Sequence, residues 1–155
     1  MEKMKKFISV ILLSLAATSA TAEISIKNAW VRQTVQGQKV TGAFMQIHSD
    51  TNIKLIGGSS KLAESCEIHQ MKMEGDVMKM RQIDELNIQA GKPLELKPGS
   101  FHLMLINLHS AVLEGSDFPL ELQFEDAAGK KSVVKVTAKG LPMANTKNTE
   151  THNQH

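Results

Sequence analysis

Between residues 24 and 138 the sequence runs in short stretches of alternating apolar and polar residues, each closed by a turn signal. No window carries the three-to-four-residue apolar period of a long amphipathic helix, so only strand-built folds stay open. The alternation is clearest at Phe118, Leu120, Leu122 and Phe124, with Glu121, Gln123 and Glu125 facing the other way, the pattern of a strand with one core face and one wet face. Strands are predicted over 24–32, 39–48, 53–57, 64–73, 77–83, 94–96, 101–108, 118–124 and 132–138. They are separated by turn residues such as Gln36-Gly37, Glu74-Gly75-Asp76, Pro98-Gly99-Ser100 and Ala128-Gly129. Many short strands within one domain predict an all-β fold, an antiparallel β-sandwich or Greek-key barrel.

Two end segments are read apart from that fold. Lys3, Lys5 and Lys6 precede an apolar run from Phe7 to Ala17, and Ala20-Thr21-Ala22 is a small-residue cleavage site. Residues 1–22 are therefore expected to be a secretory signal peptide, cut after Ala22 to leave a periplasmic protein. The apolar run of about ten residues is half of the ~20 that cross a bilayer, and no later segment is long enough either. At the other end, from Ala144 to His155, no apolar residue exceeds alanine. Residues 141–155 are expected to be a disordered tail. The domain is then 23–140, within the range of one hydrophobic core.

Of 18 basic and 16 acidic residues, the leader holds three Lys and one Glu, which leaves the mature chain with fifteen of each. A neutral chain offers no electrostatic case for nucleic acid. The single Cys66 excludes an internal disulfide despite export, so the core alone must hold the fold.

There is no CxxC, HExxH, GxSxG or glycine-rich phosphate loop, and an enzyme is not expected. What the middle third does carry is His69, Met71, Met73, Met78, Met80, His102 and Met104. Strand parity puts His102 and Met104 on one face, with Phe101, Leu103 and Leu105 on the other; His69, Met71 and Met73 share a face, as do Met78 and Met80. With Glu74-Gly75 as a two-residue hairpin loop, Met71 opposes Met78 and His69 lies directly across from Met80. A third strand carrying His102 and Met104 to the same sandwich edge would complete two imidazoles and two thioethers. That set suits Cu(I), since thioether sulfur is soft, whereas zinc favours thiolate or carboxylate. All four donors are neutral, so only imidazolium competes with the metal, and affinity should hold at pH 7 and weaken below about pH 6.

His69, Met80, His102 and Met104 follow the spacing H-x10-M-x21-H-x-M. In this the chain resembles the periplasmic copper chaperone family PCuAC, as it does at Ala29-Trp30-Val31-Arg32, Gly42-Ala43-Phe44-Met45, Asp76 to Arg81 and Leu96-Lys97-Pro98-Gly99. Ser100 stands where a second glycine is expected, a small departure within a turn. The resemblance spans roughly residues 24–138. It implies a cupredoxin-like β-sandwich that binds Cu(I) and passes it to an acceptor such as the binuclear centre of cytochrome c oxidase subunit II or another copper chaperone; the chain itself is expected to be a monomer.

Met71, Met73 and Met78 are expected in the core or at the rim, with Met71 and Met78 as secondary metal contacts. Cys66 sits at odd spacing from His69, hence on the opposite strand face, where a buried, inert thiol is expected. His48 and His109 read as surface residues. His152 and His155 are either plain tail residues or ligands for Cu(II) on a flexible arm. The competing functions are a copper electron-transfer protein, general copper storage or resistance, a copper oxidase or dismutase, and a scaffold whose His/Met cluster is accidental.

Overall fold

The computed structural model describes residues 21–142, and every regular element in it is a strand. In chain order these are β1 (Ile24–Arg32), β2 (Val40–Ser49), β3 (Ile53–Ser59), β4 (Ala63–Glu74), β5 (Val77–Ile83), β6 (Leu86–Ile88), β7 (Leu94–Leu96), β8 (Phe101–Leu108), β9 (Asp117–Asp126) and β10 (Lys131–Leu141). All nine predicted strands are present, with ends shifted by a few residues. The addition is β6, whose Leu-Asn-Ile is too short for an alternation to be recognised.

The strands form one sheet in the order β5-β4-β8-β2-β1-β10-β9-β3-β6, with β7 also on β2. A further pairing of β3 with β4, at Gly58 and Cys66, joins the two ends and closes a barrel-like sandwich. Its interior is filled by the alternate residues of each strand, among them Val31, Ala43, Met45, Ile47, Leu55, Leu103, Leu105 and the predicted Phe118, Leu120, Leu122 and Phe124. Every pairing is antiparallel except β1 with β10, which run parallel with Trp30 opposite Lys139. A parallel pair needs a long crossover. Here nearly the whole domain lies between the first and last strands and supplies it.

β4 is twelve residues long and serves two structures. Its first half closes the barrel against β3 and β8, and its second half pairs with β5 in a hairpin whose β5 side is exposed except at Ile83. The hairpin loop is Gly75-Asp76, and the expected Glu74-Gly75 loop is corrected by one position. Gly75 has φ 62 at the first loop residue, the place a type II′ turn reserves for glycine. The register therefore moves by two: Met80 opposes Met71, Met78 opposes Met73, and Gln82 rather than Met80 faces His69. Because the shift is even, the methionines keep the predicted face.

At its end, β10 runs one residue into the segment assigned to the tail, since Leu141 pairs with Arg32. Residues 1–20 of the predicted signal peptide, and the tail from Met143 with His152 and His155, lie outside the described residues. Among the described residues no helix is long and apolar enough to cross a membrane.

Candidate metal centre

On β8, Leu103 and Leu105 enter the core and leave His102 and Met104 on the outside; on β4, Ile68 does the same for His69. The register of these two strands sets His69 directly opposite His102, with ring centres 5.7 Å apart, and Glu67 opposite Met104. On the far side of His102, Phe44 of β2 lies 6.1 Å away, and Trp30 of β1 packs on Phe44 at 4.4 Å. Four rings thus form one row across β1, β2, β8 and β4. The row lies on the outer face of the barrel, not at the sandwich edge where the sequence reading placed it, because the two histidine strands are direct neighbours.

Although outside the core, the histidines are sheltered: His69 is 9% exposed and His102 5%. Phe44 stands beside His102 on this face. A Cβ at Gly42 would stand 2.8 Å from the Phe44 ring, so the ring occupies the space that any side chain there would need. Gly42 in turn faces Met104 across the strands.

Each imidazole has one nitrogen occupied by an acceptor. The Nδ1–H of His102 donates to the Ser100 carbonyl at 3.2 Å, and the Nε2–H of His69 donates to the Glu67 carboxylate at 2.7 Å. These partners leave the lone pair on Nε2 of His102 and on Nδ1 of His69; the latter atom is buried and has no partner. A ring held by a carboxylate or a backbone carbonyl through one nitrogen is the usual state of a metal-binding histidine.

Burial holds the pKa of His102 below the usual imidazole value; His69 and Arg32 add to the effect and the Ser100 carbonyl opposes it. Arg32 lies 5.6 Å from the Phe44 ring centre. The folded chain therefore binds fewer protons at this site than the unfolded chain. Its contribution to stability is complete above about pH 6.5 and is lost as pH falls through the folded pKa. In urea titrations of the metal-free protein the midpoint is expected to drop between pH 7.5 and pH 5.5, and His102→Gln should flatten part of that slope. A variant as acid-sensitive as the parent would show that the effect comes from other groups.

Met104 is half-buried beside Glu67, and Met80 is 49% exposed, diagonal to His69 and opposite Met71. Met71, Met73 and Met78 occupy the rim, where Met71 is half-buried and the other two are exposed. The described residues contain no group of three or more His, Cys, Asp or Glu side chains able to hold a metal. The soft side chains on the face of the histidine pair include the thioethers of Met104, Met80 and Met71. Cys66 is on the opposite face, packed against the core, and burial pushes its thiol up to about 12, so it stays protonated at neutral pH. His109 is exposed and bonds the Lys61 carbonyl at 2.9 Å, while His48 is half-buried on β2 away from the ring row.

Sequence reasoning missed Glu67, Phe44, Arg32 and the Ser100 carbonyl as parts of the site. Glu67 was legible in principle, as the same-face residue two before His69. The Ser100 carbonyl was equally local, two residues before His102, whereas Phe44 and Arg32 reach the site only through the pairing of β1, β2 and β8.

The fold and side chains define a β-sandwich domain with a sheltered histidine pair and flanking methionines on one outer face. A family model described as "Putative lipoprotein LpqE-like" matches residues 24–138, and the chain belongs to this PCuAC-type family. A relative described as "Putative lipoprotein Lxx21020", from Leifsonia xyli subsp. xyli, is 30% identical over 126 residues, 79% of this chain and 73% of its own length. Among solved structures, the copper-bound PCuAC domain from PmoF2 superposes with a TM-score of 0.58 at 18% identity, over 76% of this chain and 93% of its own. The Cu(I) form of DR1885 from Deinococcus radiodurans gives 0.55 at 27% identity, over 74% and 76%.

Proposed function

We propose that this protein is an exported copper carrier, not an enzyme, that binds Cu(I) through His69, Met80, His102 and Met104 and hands it to an acceptor. The observation that carries this reading is the His69–His102 pair, with one nitrogen of each ring held by its own partner and the other left free. A nitrogen bound at about 2 Å puts its ring centre roughly 3 Å from the metal, so centres 5.7 Å apart suit one shared ion. Met104 and Met80 stand on the same face on either side of the pair, and soft thioethers favour Cu(I). The copper-bound PmoF2 domain and Cu(I)-DR1885, relatives in fold, support the same metal.

Release follows from the same placement. The histidines are shielded while Met80 is half exposed, so an incoming ligand can replace the Met80 sulfur first and draw the ion away without unfolding the site. An electron-transfer centre would need a cysteine thiolate, and Cys66 is both protonated and on the wrong face. Export to the periplasm rests on the leader sequence, and the family resemblance points to the binuclear copper centre of cytochrome c oxidase subunit II, or another copper chaperone, as the acceptor.

An anaerobic competition titration with a chromophoric Cu(I) chelator tests the reading. The wild-type chain should take one tight equivalent that the Met80→Ala, His102→Ala double variant loses. Unchanged binding in the variant would place the site elsewhere, and no binding by the wild type would remove the function.

A further inference from the structure

Beyond the histidine pair, the β4–β5 hairpin leaves the barrel with two different faces. One holds Gln70, Lys72 and Glu74 opposite Arg81, Lys79 and Val77, with Glu74 bound to both Lys79, at 2.7 Å, and Arg81. The other holds Met71 opposite Met80 and Met73 opposite Met78, four of the nine methionines of the chain on adjacent positions. In a two-residue hairpin the pair next to the loop, Glu74 and Val77, is hydrogen-bonded and the pairs then alternate. Both methionine pairs therefore fall on narrow, non-hydrogen-bonded positions, where side chains approach most closely.

This face has no packing role that accounts for it. Met73 is 53% exposed and Met78 46%, so little core burial rewards them. Exposed strand positions usually take β-branched or polar residues, and an apolar stripe in water is a liability unless it is used. What four unbranched methionines offer, and valine or leucine would not, is a ladder of soft sulfur donors running from the hairpin tip to His69.

We propose that Met71, Met73 and Met78 form a second, exchange-labile Cu(I) site, through which the ion enters or leaves the histidine pair with Met80 as the shared thioether. The proposal rests on the copper-carrier reading for its cargo but not for its donors. Transfer along the ladder exchanges one neutral sulfur for another. Copper stays Cu(I) and no proton or electron is released. With no imidazole and with open solvent on one side, the second equivalent should bind about tenfold or more weakly than the first.

The test is an anaerobic Cu(I) titration of the full chain carrying 13C-labelled methionine methyls, followed by NMR. The first equivalent should shift Met80 and Met104, and the second should shift Met71, Met73 and Met78 in fast exchange. Met71→Leu, Met73→Leu, Met78→Leu keeps the apolar volume and removes the sulfur. It should lose the second equivalent, leave the first within about threefold in affinity, and slow Cu(I) release to a chelator. A second equivalent that leaves the three methyls unmoved, or that survives the triple variant, overturns the proposal. Should the three methyls respond while the histidine pair takes no copper, the ladder site stands and the carrier reading falls; should neither respond, both fall.

Discussion

Replacing Leu103 by alanine is expected to destabilise the fold by about 3–5 kcal/mol, the range found when a fully buried leucine is truncated and its cavity cannot collapse. Leu103 is wholly buried and paired with Ile68 on one side and Ala43 on the other, in the middle of the three strands that carry the site. Its neighbours belong to paired strands fixed on both edges, so little relaxation is available to fill the space. The substitution acts from beneath His102, which the same strand holds on its other face. Chemical denaturation of the metal-free protein measures the effect. A cost below about 1 kcal/mol would mean that β8 is not clamped between β4 and β2 as described.

Glu67→Ala is expected to weaken Cu(I) binding by about 10- to 100-fold, which corresponds to roughly 1.4–2.7 kcal/mol, the usual effect of removing a group that orients a metal-binding histidine. The Glu67 carboxylate accepts from Nε2 of His69 at 2.7 Å. Without it the ring is free to turn or to change tautomer, and the buried Nδ1 no longer carries the lone pair by default. Glu67→Gln keeps an acceptor oxygen and should recover most of the loss. Because the Glu67 side chain is only 29% exposed and its partner ring is sheltered, Glu67→Ala should also cost about 1–3 kcal/mol of folding stability, and Glu67→Gln, which keeps an acceptor, less. The chelator competition titration reads the affinities. Equal binding by Glu67→Ala and the parent would show that something else holds the His69 ring.

The all-β architecture was legible because period-two alternation is a local property, plain in β9 and in β8, where His102 and Met104 part from Leu103 and Leu105. Face assignments survived even where the register did not. The hairpin loop lies one residue later than expected, and since that moves the pairing by two, Met80 remained on the face of His69 while its partner became Met71. β6 was too short to announce itself, and the parallel β1–β10 pair joins strands at opposite ends of the domain, which no local pattern reveals.

The sequence by itself determined which side chains could meet: His69, Met71, Met73, Met78, Met80, His102 and Met104 are assigned to faces by parity alone, and Cys66 is turned away from them by the same rule. Tertiary structure alone decided which of them do meet. The pairing of β4 with β8 puts His69 against His102, and β2 and β1 then set Phe44 beside His102, with Trp30 and Arg32 on the Phe44 ring. The reason is physical: alternation follows from the geometry of a single strand, whereas register and strand neighbours are set by the joint packing of residues far apart in the chain.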